Sequence, residues 1–128
     1  MVGMVVVSHS EHLAEGVVEI AKMMAEEVPI AAAGGLEDGS QGTSFKKIAD
    51  AVRKVYSPDG VAILIDIGSA LFTAEMVIEE MDLKNVEILD CPLVEGAIVA
   101  AVASRSGNSL KEIVEKVSES RKYRKIEV

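Results

Sequence analysis

Short β-branched runs alternate with longer segments of helical period along the whole chain, and this alternation constrains the fold more than any other feature. Val2 to Ser8 is strand-like, and Glu11 to Glu27 follows with apolar residues at Leu13, Val17, Ile20, Ala21 and Met24. Those spacings place one apolar stripe on a helix. Pro29 closes the helix, and Ile30 to Ala33 reads as a second strand ended by Gly34 and Gly35. A polar, glycine-rich loop from Gly34 to Thr43 leads into a second helix, with Phe45, Ile48, Ala49, Val52 and Val55 expected to face inward. After a turn at Ser57-Pro58-Asp59-Gly60, Val61 to Ile65 forms a buried strand that ends at Asp66, with Gly68-Ser69 just beyond. A third helix over roughly Leu71 to Met81 and a fourth strand, Val86 to Leu89, complete the alternation.

From Leu93 to Ala103 the chain is apolar nearly all round and rich in Gly and Ala. Such a helix is buried on several sides, which in a short chain predicts a subunit interface. Ser109-Leu110-Lys111-Glu112 has the capping-box pattern, and Leu110, Ile113, Val114 and Val117 share one face of the last helix. Ile126 to Val128 reads as a short final strand or a tail. Strands alternating with helices of this length imply βαβ units. The expected fold class is α/β: one open, three-layer domain over residues 1–128 with a mostly parallel sheet covered on both faces.

Composition excludes several function classes. The 128 residues suffice for one domain, and 49% of them are hydrophobic, so global disorder is ruled out. A formal net charge of -8 opposes both a phosphate backbone and an anionic membrane surface, so neither nucleic acid nor membrane is an expected partner. Cys91, the single cysteine, can form neither an internal disulfide nor a multi-cysteine zinc site, and no clustered ligands support a metal. With no signal-like start and no apolar run of spanning length, the chain reads as soluble and cytoplasmic.

In open α/β sheets, ligands bind beyond the carboxyl ends of the strands. That rule selects Ser8-His9-Ser10, the loop through Gly42-Thr43-Ser44, and Asp66 with Gly68-Ser69-Ala70. His9 is the sharpest of these residues, because a neutral imidazole is a competent nucleophile near neutral pH. If the first and third strands are neighbours, Asp66 lies beside it and binds one ring N–H, leaving the other nitrogen free to attack. Helices starting after Ser10 and Ser69 would turn free N–H groups toward the same place, a natural seat for a phosphoryl group. Each element also has a plainer reading. His9 can be a turn residue, Asp66 and Ser69 helix caps, and Gly34, Gly35 and Gly39 the requirements of a tight loop.

Val5-Val6-Val7-Ser8-His9-Ser10 resembles the active-site segment of the DhaM family, the phosphotransferase subunits of dihydroxyacetone kinases, which is similar to the mannose-family IIA domains of the phosphotransferase system. Gly42-Thr43-Ser44, Asp66-Ile67-Gly68-Ser69-Ala70 and Pro92-Leu93-Val94-Glu95-Gly96-Ala97 agree in the same order, so the resemblance runs over essentially the whole chain. It implies strand order 2-1-3-4, a fifth, antiparallel C-terminal strand, and a homodimer. His9 would accept a phosphoryl group on Nε2 from phospho-HPr and pass it to ADP held on the DhaL subunit, which works with DhaK. The chain itself would bind no nucleotide and no metal. Asp66 would orient or tune His9, weakening the phosphoryl bond. Ser10, Gly42, Thr43, Gly68 and Ser69 would frame the phosphoryl pocket. HPr-like and enzyme-I-like domains, fused in some relatives, are not in this sequence, so separate carriers are expected to charge it.

Two other readings remain open. One is a mannose-family sugar-transporter IIA component that donates to a IIB protein. The other, from a different class, is a flavodoxin-like module holding a nucleotide or flavin in the same crevice. Aromatic residues make up only 3% of the chain, which disfavours flavin stacking.

Overall fold

The valine-rich first strand is the centre of the molecule. In the computed structural model, which describes residues 1–127, β1 (Gly3–Ser8) is buried along its whole length. It pairs in parallel with β2 (Ile30–Gly34) on one side and β3 (Val61–Ile65) on the other, and β3 pairs with β4 (Val86–Leu89). The sheet order is β2-β1-β3-β4, as expected. A parallel strand needs a crossover, and helices α1 (Glu11–Met24), α2 (Phe45–Val55) and α3 (Ser69–Met81) supply the three that link the strands. They are followed by α4 (Leu93–Arg105), α5 (Leu110–Ser118) and a 3-10 turn, Glu119–Lys122.

Because successive strand side chains point to opposite faces, β1 feeds two cores. Met4 and Val6, with Ala62 and Leu64, pack under α1, α4 and α5. Val5 and Val7, with Ile63, pack under α2 and α3. The register pairs Ser8 with Gly34 and Val7 with Ile65, so the carboxyl ends of β1, β2 and β3 finish level at one edge. Gly34 permits this, since a Cβ there would lie 2.4 Å from the Ser10 carbonyl oxygen.

The structure corrects several sequence expectations. The first helix stops at Met24 instead of Glu27, because Ala25 leaves helical geometry and the chain must turn to bury Val28 ahead of Pro29. Its buried residues are Ala14, Val17 and Ala21, while Leu13, Ile20 and Met24 are exposed. Small alanines let α1 approach β2 and α4 closely, which rotates the larger side chains outward. Phe45, expected to face inward, is 37% exposed.

The burial of α4 needs no subunit interface. Gly96, Ala97, Ala100, Ala101, Ala103 and Ser104 are covered within the chain by α1, α5 and the sheet. The capping box of α5 is formed: Ser109 Oγ accepts from the Glu112 N–H, and Glu112 Oε1 accepts from the Ser109 N–H.

The expected C-terminal antiparallel strand is not formed among the described residues, and residue 128 lies outside them. Residues 123–127 carry two exposed large apolar side chains, Tyr123 and Ile126, whose spacing of three puts them on opposite faces of an extended strand, which gives no apolar face to lay on a sheet edge. Surface ion pairs run from this end of the chain instead, Arg121 to Asp90 at 3.0 Å and Lys125 to Glu95 at 2.9 Å. No helix is long and apolar enough to cross a membrane among the described residues.

Candidate phosphoryl-transfer site

The ladder of β1 and β3 continues one step past the strands, with the Asp66 N–H donating to the Val7 carbonyl at 3.1 Å. This sets Asp66 directly beside Ser8 and His9. Its carboxylate is surrounded by donors. Oδ2 accepts from the Ser8 hydroxyl at 2.9 Å and the His9 N–H at 3.0 Å, and Oδ1 accepts from the Ile67 N–H at 2.7 Å. Nδ1 of His9 lies 3.0 Å from Oδ1. Burial of Asp66 pushes its carboxyl pKa up, but the N–H groups of His9 and Ile67, then the His9 ring and the Ser8 hydroxyl, outweigh it and hold the carboxyl below its ordinary 3.8.

An ionised carboxylate at Nδ1 keeps the ring proton on that nitrogen. The lone pair of His9 is therefore on Nε2, which faces the Ser69 hydroxyl at 2.9 Å. The His9 side chain is 27% exposed and that of Asp66 12%, so the ring reaches the surface while the carboxylate stays covered. Ser69 opens α3, whose N-cap is Gly68 and has no side-chain cap. The positive end of this helix is left to attract an anion beside Nε2.

The other residues singled out from the sequence hold the surroundings. Ser10 is the N-cap of α1, its hydroxyl accepting from the Leu13 N–H, so its oxygen already has a structural partner. Gly42, at φ +144°, donates its N–H to the His9 carbonyl at 2.9 Å, and Gly35 does the same to Ser8 at 3.0 Å. Thr43 pairs with Gly35 through an isolated parallel bridge and shares a 2.9 Å hydroxyl contact with Thr73 of α3. The glycine loop is thus stitched to β1 on one side and to α3 on the other.

The sequence places Ser8 only within the strand-end segment, with no role of its own, and does not single out Lys47. Ser8 is fully buried and binds Asp66. Lys47 anchors the loop base, its ammonium binding the Gly34 carbonyl and, at 3.1 Å, the carboxylate of Glu11. A lysine one turn into an amphipathic helix carries no such signal.

Cys91 packs against the core beneath α4. Burial, with Asp90 adding to it, pushes its thiol up to about 11 against the opposing pull of Arg121. Among the described residues no three His, Cys, Asp or Glu side chains cluster to hold a metal. Ile67, Leu71 and Phe72 are exposed on the segment around Ser69 that opens α3. An open cleft lined by Leu36, Glu37, Asp38, Ser44, Phe45 and Lys46 lies along the glycine loop and the start of α2.

The family described as the fructose IIA component of the phosphotransferase system matches over residues 3–117. The phosphoryl donor subunit DhaM of PEP-dependent dihydroxyacetone kinase 2 from Listeria innocua is 38% identical over 122 residues, covering 92% of this chain and 98% of the relative. The corresponding Escherichia coli subunit is also 38% identical, over 89% of this chain, but this chain spans only 26% of that longer protein. A crystal structure of a protein of unknown function superposes with a TM-score of 0.80 at 30% identity, covering 93% of this chain and 95% of the other.

Proposed function

Because this chain belongs to the IIA component family of the phosphotransferase system, we propose that it is a phosphohistidine carrier serving a dihydroxyacetone kinase, with His9 as the acceptor. One observation carries the reading. His9 is held between an ionised carboxylate on Nδ1 and a hydroxyl on Nε2, at the start of an uncapped helix.

The Nε2 lone pair attacks the phosphorus of a donor phosphohistidine. The donor P–N bond breaks, its electron pair returns to the donor ring, and a new P–Nε2 bond forms. The Nδ1 proton stays in place, so the ring becomes cationic, and Asp66 stabilises that charge. The phosphoryl oxygens then lie toward the N-terminus of α3. Transfer to an acceptor reverses these steps.

The donor is HPr and the acceptor is ADP on a DhaL subunit that acts with DhaK. Support for the acceptor comes from relatives that are themselves phosphoryl donor subunits of such kinases. On this reading the chain binds no nucleotide or metal of its own, works in the cytoplasm and forms a homodimer. The exposed Leu13, Ile20 and Met24 on α1 and Val94 on α4 offer apolar surface for the second copy.

The test is incubation with phosphoenolpyruvate, enzyme I and HPr, followed by intact mass measurement. The expected result is an acid-labile phosphoryl group on the wild type and none on His9→Ala. Rapid discharge by ADP-loaded DhaL is expected. Discharge only by a IIB protein would move the function to sugar transport. Failure of the wild type to label, with carriers active on a control, would overturn the proposal.

A further inference from the structure

Ser8 is the one polar side chain of β1 and is 0% exposed. A buried hydroxyl costs stability unless its bonds are made, and both of its roles are filled. Its oxygen accepts from the Ser10 N–H at 3.0 Å, and it donates to Asp66 Oδ2 at 2.9 Å. An amide N–H only donates, so Ser8 must accept there, and its single proton is left to point at the carboxylate.

That proton joins three other donors on Asp66. Oδ2 takes Ser8 and the His9 N–H, Oδ1 takes the Ile67 N–H, and the His9 ring lies nearer Oδ1, at 3.0 Å, than Oδ2, at 3.3 Å. The backbone donors lie one on each oxygen. Ser8 is the only side chain besides His9 itself among these donors.

We propose that Ser8 is a positioning residue for phosphoryl transfer: its buried hydroxyl fixes the rotation of the Asp66 carboxylate so that Oδ1 faces Nδ1 of His9 and the Nε2 lone pair stays available. The inference rests on the carrier reading above and adds a residue to it. Without the hydroxyl, Oδ2 keeps the His9 N–H and is left with a spare lone pair that competes with Oδ1 for the His9 ring. The ring then loses its fixed proton position.

The test compares Ser8→Ala and Ser8→Thr with wild type by ring ¹⁵N chemical shifts of His9 at neutral pH and by the rate of labelling from phospho-HPr. Expected for Ser8→Ala is a mixture of ring tautomers in place of the Nδ1–H form and roughly tenfold slower labelling, with Ser8→Thr restoring both. Wild-type ring shifts in Ser8→Ala would overturn the proposal, as would slow labelling with unchanged tautomer. The ring measurement needs no phosphoryl donor. A wild type that takes no label would therefore defeat the carrier reading while the shifts still decide the positioning of His9 by Ser8.

Discussion

Ser69 Oγ lies 2.9 Å from Nε2 of His9, on the nitrogen opposite the Asp66 carboxylate. The same hydroxyl that caps the reactive lone pair must turn aside when that nitrogen is phosphorylated, and it then stands next to the phosphoryl oxygens. Ser69→Ala is expected to remove one donor from them. The phosphorylated variant should lose its label about tenfold faster than wild type, in line with the worth of a hydrogen bond to a charged group. Timed intact mass spectra after removal of the donor would measure this.

Asp66→Asn keeps the shape of the side chain and removes its charge. Labelling of His9 should fall by roughly a hundredfold or more, since neither the proton position nor the charge of the phosphorylated ring is then supported. The carboxyl of Asp66 is depressed below 3.8 in the folded chain. A group depressed on folding contributes stability above its unfolded value and loses that contribution as pH falls through the folded one. Wild type should therefore lose more thermal stability than Asp66→Asn on acidification below the ordinary carboxylate range, as melting curves from pH 6 down to pH 2 would record.

Phe72, 76% exposed one turn into α3, contributes little to the core and stands beside the site. Aromatic anchors of this kind concentrate binding energy at protein interfaces. Phe72→Ala should raise the apparent KM for phospho-HPr about tenfold and leave the melting temperature and the maximal labelling rate nearly unchanged. Equal KM values for the two proteins would place the docking surface elsewhere.

Gly96 packs against Cys91 so closely that a Cβ would lie 2.2 Å from its Sγ. Gly96→Ala should therefore destabilise the fold by about 1–3 kcal/mol, read by denaturant unfolding, and adding Cys91→Ala should recover only part of the loss, because the new Cβ still lies 2.9 Å from the Cβ at position 91. With its thiol pushed up to about 11, Cys91 should also resist alkylation at neutral pH until the chain is unfolded.

The alternation of strands and helices was legible in one dimension, whereas the strand order came with the family resemblance and the nearness of His9 to Asp66 followed only once the first and third strands were neighbours. Met4 to Val7 and Val61 to Ile65 are unbroken apolar runs, and parallel neighbours bring their ends to one edge. What stayed hidden depends on side-chain size and on contacts across space. Leu13 and Ile20 fit an apolar stripe as well as Ala14 does, but only alanine allows the close approach of α1 to its neighbours. The small residues of α4 announced burial without saying that α1 and α5 provide it. Ser8 and Lys47 gained their roles from residues far away in sequence, Asp66 and Gly34 respectively.

The backbone around His9 is clamped from both sides. Glycine N–H groups of the loop hold the carbonyls of Ser8 and His9, the Asp66 N–H holds Val7, and the Asp66 carboxylate holds the N–H of His9. An exposed reactive residue is thus mounted on the least yielding part of the sheet, and its amide should exchange with solvent only when the whole domain opens. Nothing at the site has to be assembled before a partner arrives. For the carrier proposed above, the pace of each handover should then be set by how quickly two protein surfaces find one another and part.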